Sequence, residues 1–76
     1  MRESFKELIE KACAIRLFLT TSSFKVYHYE DGSYIDFHVI KVVNLPRLLE
    51  LAGGLELMFY DDENGIRIRM FENYSE

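Results

Sequence analysis

The side chains of this 76-residue chain best suited to acid–base or metal chemistry are His28 and His38. Asp36 stands two positions before His38, so on a strand the two share a face and the carboxylate could orient the ring. Asp61, Asp62 and Glu63 form an acidic run that invites a cation. Cys13 is the single thiol. None of these acts alone. A metal site needs several ligands converging from different elements, and a nucleophile needs a base within hydrogen-bond reach.

The elements that must position these residues argue against both uses. Asp31-Gly32 stands between two alternating runs, and Asp-Gly is a strong hairpin signal because both residues tolerate tight-turn backbone angles. Taken as a two-residue turn, it pairs Glu30 with Ser33, Tyr29 with Tyr34, His28 with Ile35, Tyr27 with Asp36, Val26 with Phe37 and Lys25 with His38. Cross-strand partners project to the same side of a sheet. One side then collects Phe24, Val26, His28, Ile35, Phe37 and Val39, with Val26 and Phe37 as core neighbours. The other collects Lys25, Tyr27, Tyr29, Tyr34, Asp36 and His38. The histidines point to opposite faces and cannot share a metal. His28 reads as a neutral, hydrogen-bonded residue at the margin of the core, and His38 as a solvated strand residue.

The remaining candidates are weaker. The acidic run lacks the alternate-position ligands and distant glutamate of a calcium loop, so it reads as a solvated turn tip. Cys13 lies on or beside the apolar stripe of a helix and reads as buried and inert, and a lone cysteine excludes an internal disulfide or a Cys-only zinc site. No phosphate loop, HExxH, GxSxG or paired cysteine is present. No catalytic residue, metal ligand or cofactor is expected, and the chain reads as non-enzymatic.

Ser4-Phe5-Lys6-Glu7 matches a capping box, followed by Phe5, Leu8, Ile9, Ala12, Ile15 and Leu19 at helical spacing. The helix is expected from Phe5 to at least Ala14, with an end near Leu19, although Ile15 to Thr21 can also be read as a strand. Thr20 to Ser23 is the connector. Asn44 caps a second helix with Pro46 in its first turn, Leu45, Leu48, Leu49 and Ala52 on its apolar side, and Gly53-Gly54 as its stop. A second hairpin turns at Asp61 to Gly65. Pairing Phe59 with Ile66 brings Leu57 to Ile68, Leu55 to Met70, Glu56 to Arg69 and Met58 to Arg67. The order is αββαββ, an α+β two-layer sandwich in one domain over residues 1–76, with two helices on one face of a four-stranded, mainly antiparallel sheet. It suggests a weak duplication of helix plus hairpin, with turns of different length.

One collection exceeds an ordinary solvated sheet face. The side away from the helices gathers Tyr27, Tyr29, Tyr34, His38 and Ile40 from the first hairpin. Met58, Tyr60, Arg67, Arg69 and Phe71 join them from the second. Tyr, Met, Phe and Arg are the residues enriched at interface cores. The leading expectation is a protein-interaction module that self-associates through this aromatic face, as a homodimer. The alternative is a single-stranded nucleic-acid binder that stacks bases on the aromatics and meets phosphates with Arg67 and Arg69. The third is an enzyme completed by a second subunit.

Bulk properties set the limits. At 49% apolar and 14% aromatic the chain has material for one core, too much for disorder. Domains this small bury only ~60% of their unfolded surface, so stability is thin. The formal charge of −4 disfavours non-specific nucleic-acid binding. Neither a basic-apolar leader nor a membrane-length apolar run is seen, so a cytoplasmic protein without membrane contact is expected. The absence of Gln is a mild thermophile signal.

Overall fold

The computed structural model describes residues 2–21, 23–63 and 65–73, with the backbone alone for Asp62. Ser22 in the first connector and Asn64 in the second turn fall outside these residues. The elements run α1 (Glu3–Ile15), a 3-10 turn (Arg16–Phe18), β1 (Phe24–Tyr29), β2 (Gly32–Val39), α2 (Leu45–Ala52), β3 (Leu57–Asp62) and β4 (Gly65–Phe71). All strand pairs are antiparallel, in the spatial order β1-β2-β4-β3. The α+β two-layer arrangement is therefore the one the residue patterns imply, with the second strand of each hairpin at the centre.

Both hairpins close two residues away from the expected register. Tyr29 pairs with Gly32, so the tip is Glu30-Asp31 and not Asp31-Gly32. The reason lies in the backbone. A type I′ tip needs positive φ at both central residues, and Glu30 and Asp31 have none. Gly32 instead takes φ +145° at the closing position, where glycine suits the end of a turn. In the second hairpin Asp62 pairs with Gly65, which has φ +146°. The two hairpins thus close with the same separation, against the expectation of unequal turns. A slip of two residues keeps every side chain on its face, because the side-chain period of a strand is two. The partition into an apolar and an aromatic-polar face holds, while individual partners change. Val26 faces Ile35 and Phe37 faces Phe24, with which it packs ring edge to ring face at 5.2 Å. Val26 and Phe37 are therefore not core neighbours. Val26 lies on an edge strand, 36% exposed, while Phe37 is fully buried.

The core joins Leu8, Ala12 and Ile15 of α1 and Leu48 and Ala52 of α2 to Ile35, Phe37, Val39, Ile68 and Met70 of the two central strands. Both helices thus cover one face. α1 ends earlier than Leu19. The chain tightens into the 3-10 turn and Leu19 forms an isolated bridge with Val42, so the ambiguous stretch contains both helical and extended backbone. Ser4 does not cap α1. The helix begins two residues earlier than expected, at Glu3, with Arg2 at the cap position and no side-chain cap. α2 starts as expected, with Asn44 Oδ1 accepting from the Arg47 amide at 3.1 Å, and stops at Gly53. Only one of its apolar stripes is covered: Leu45 and Leu49 are 45% and 46% exposed. Cys13 is exposed, not buried, because one step along the helix from Ala12 turns it about 100° out of the core stripe.

Candidate contact face of the sheet

The face away from the helices is built in rows by the strand register. Tyr27 of β1, Tyr34 of β2 and Phe71 of β4 form the first row. Lys25, Asp36, Arg69 and Met58 form the second, crossing all four strands. His38, Arg67 and Tyr60 form the third. Arg69 therefore stands opposite Met58, and Arg67 opposite Tyr60, in place of the expected Glu56 and Met58. The ten residues singled out in the sequence converge here with one exception. Ile40 lies just past β2, beyond the last β2–β4 pair, and is exposed at the end of the sheet.

The rings form a continuous surface. Tyr27 and Tyr34 stack at 5.0 Å with their planes 18° apart. Tyr29 and Phe71 flank Tyr34 at 5.9 and 5.6 Å. The Arg69 guanidinium lies between two ring faces, 4.9 Å from Tyr34 and 5.2 Å from Tyr60. Such cation–π contacts hold the group in place without spending its hydrogen-bond donors. The Tyr60 hydroxyl donates to Met58 Sδ at 3.4 Å. Asp36, only 12% exposed, sits between the two arginines, with Arg67 Nε at 3.6 Å and Arg69 Nε at 3.7 Å. Asp36 Oδ1 and Arg69 Nε are buried without a hydrogen-bond partner, so charge and not hydrogen bonding joins them. On the β1 side the face opens into a cleft of about 260 Å³.

A second constellation, which the sequence did not disclose, lies on the helix-covered side. Glu72 is buried and accepts from Arg2 Nε at 3.0 Å and Nη2 at 2.8 Å, and from the Ser4 hydroxyl. These donors and that of Ser33 hold its carboxyl below the usual carboxylate range, the Arg2 bonds most strongly, although burial opposes them. His28 Nδ1 and Ser33 Oγ lie 2.8 Å apart in a hydrogen bond whose donor is set by the ring tautomer. Phe5 packs against the His28 ring at 5.5 Å. The set contains Ser, His and Glu, but in the wrong order for a nucleophile relay, in which the acid orients the histidine and the histidine activates the serine. Here the carboxylate takes its hydrogen bonds from Arg2 and Ser4, and Ser33 is fully buried. The arrangement satisfies a buried charge. Its one trace in the sequence is alternation: Glu72 follows Ile68 and Met70 onto the core face, and a charge there needs partners.

His28 and His38 stand on opposite faces, with Tyr34 opposite Tyr27 and Phe37 opposite Phe24 between them in register. Among the described residues no three His, Cys, Asp or Glu side chains group as metal ligands would. No described helix is long and apolar enough to cross a membrane. No protein-family model, curated protein or solved structure matches the chain.

Proposed function

We propose that this chain is a non-enzymatic binding module that works by contact through the open face of its sheet, with a second copy of itself as the first partner. The observation that carries this reading is the convergence of rings and arginines on that face, above all Arg69 held between Tyr34 and Tyr60. Tyr and Arg are among the residues that most often dominate binding energy, Tyr because it offers large area at low entropic cost and Arg because its planar fork of donors is preorganised. Their partial exposure supports the reading. Tyr27, Tyr29, Met58 and Tyr60 are 36–44% exposed, although they are large and largely apolar. Contiguous apolar surface of this kind on a small domain more often marks a contact than a solvated wall. A homodimer would also relieve the thin core of a 76-residue chain.

The test is an NMR dilution series. Amide shifts of Tyr34, Met58, Tyr60 and Phe71 are expected to move with protein concentration, while those of exposed α1 residues such as Glu7 and Cys13 stay fixed. Shifts that move on the helix side alone, or nowhere at millimolar protein, contradict self-association through this face.

A further inference from the structure

The two edges of the sheet differ from its faces and from each other. β3 is the last strand in the order β1-β2-β4-β3, so one side of its backbone has no neighbouring strand. Which groups lie there follows from one bond. The Phe71 amide donates to the Glu56 carbonyl at 2.9 Å, and along an antiparallel ladder alternate residues turn toward the partner and away from it. Glu56, Met58 and Tyr60 therefore turn their N–H and C=O to β4, while Leu57, Phe59 and Asp61 turn theirs outward. Among the described residues no hydrogen bond reaches these outward groups. Natural edges are blunted by a lysine, a proline, a bulge or a covering element. β1, at the far edge, carries Lys25 within the strand. β3 has no such device. Its register with β4 runs unbroken from Leu57–Met70 to Asp62–Gly65, and residues 54–64 contain no base and no proline. Phe59 is 45% exposed although it shares the helix-covered side with Ile68, so the helices leave this edge uncovered.

We propose that the free edge of β3 binds an extended peptide of a protein partner, antiparallel to β3, with apolar residues at its centre and a base at each end. An extended main chain supplies the partners that the outward groups lack. Its side chains follow from the residues beside it. Leu57, Met58, Phe59 and Tyr60 match an apolar centre. Glu56 before them and Asp61 and Glu63 after them are exposed acids, while Arg67 and Arg69 stand one strand inward, ion-paired with Asp36, so bases complement both ends. A second copy of the chain is the poorer occupant. Antiparallel self-pairing that engages all three outward residues sets Leu57 against Asp61 and brings the acidic end of each strand to the other's Glu56. The site is the rim of the sheet and not its open face, so it goes beyond the self-contact proposed above and does not depend on it.

The probe is a fluorescein-labelled peptide, Arg-Thr-Val-Ile-Val-Arg, titrated with the full chain by anisotropy. Laid antiparallel, its arginines meet Asp61 and Glu56 and its valines pair with Phe59 and Leu57. Saturable binding is expected. Amide exchange followed by NMR carries the signature: at about ten times the dissociation constant of the peptide, the amides of Leu57, Phe59 and Asp61 should exchange about tenfold more slowly. Those of Met58 and Tyr60, already bonded to β4, should change little. Asp61→Lys should weaken the peptide about fivefold and strengthen Glu-Thr-Val-Ile-Val-Glu by a like factor. Phe59→Lys, which installs an edge lysine at a half-exposed position, should weaken both. Val26→Lys on the opposite edge should leave binding unchanged. Circular dichroism confirms that each variant is folded, and the exchange pattern of the wild type decides the matter if one is not. Absence of saturable binding at millimolar peptide overturns the proposal. So does equal binding of hexalysine, or of the same peptide N-methylated at both valines, since either would remove the main-chain pairing. Protection at Phe24, Val26 and His28 in place of the β3 amides, or loss of binding in folded Val26→Lys, overturns the choice of edge.

Discussion

Replacing Arg2 by alanine probes the clamp that ties the chain's start to the end of β4. Glu72 keeps the Ser4 hydroxyl in this variant but loses its bidentate cation. Breaking a buried ion pair from one side costs about 3–5 kcal/mol, because the remaining charge stays buried. The Arg2 side chain is 48% exposed and the Ser4 hydroxyl persists, which places the loss near the lower end, about 3 kcal/mol. A domain of this length holds roughly 4–11 kcal/mol in total, so the variant should unfold at markedly lower urea. The sign of the pH dependence follows from the lowered pKa of Glu72. A carboxyl depressed in the folded state stabilises above its unfolded pKa, about 4.3, and that contribution disappears as pH falls through the folded pKa. The deficit of Arg2→Ala should therefore be full at pH 7 and shrink as the carboxyl is protonated below about pH 4. Urea titrations of both proteins at pH 7 and pH 3 read this directly. A deficit under about 1 kcal/mol at pH 7, or one equal at both pH values, would refute the reasoning.

Three further expectations follow from the packing. Gly65→Ala should be costly, at least about 2 kcal/mol. Its φ is +146°, and a Cβ there would fall on the Val39 carbonyl oxygen and within 2.8 Å of Ile40 Cα, backbone that cannot swing aside; a thermal midpoint near wild type would argue against it. Phe37→Ala should cost about 3–5 kcal/mol, since the ring is fully buried, whereas Val26→Ala on the exposed edge should cost about 1 kcal/mol or less. Urea midpoints rank the two, and equal losses would contradict the observed register. Cys13 should be modified by a thiol reagent in the folded state as readily as in urea-unfolded protein, because it is exposed; strong protection in the folded state would place it back in the core.

Much of the architecture was legible from alternation alone. The apolar and aromatic faces survive a two-residue error in both hairpins because slips of two preserve facing. The turn itself was not legible at that precision, since Asp-Gly suits both the tip of a type I′ turn and the closing end of a type I turn. The residues of the open face could be grouped from parity, but not the way Asp36 sits under both arginines, which depends on β4 lying beside β2. The Glu72 cluster escaped because its partners lie at the far end of the chain, and Ser4 offered a plausible local alternative as a helix cap. Cys13 and Leu49 show the limit of stripe reading: apolar composition near a core-facing position does not say where the covering element ends.

The central claim is that the open sheet face is a contact surface. Sedimentation velocity of the wild-type chain and of Phe71→Asp, from micromolar to millimolar protein, tests it most directly. The wild type should pass from monomer toward dimer as concentration rises. Phe71→Asp, which puts a charge where the dimer would exclude water, should raise the dissociation constant by a factor of about 30 or more, with its circular dichroism spectrum unchanged. A wild-type protein that remains monomeric throughout, or a Phe71→Asp protein that associates equally well, would contradict the account.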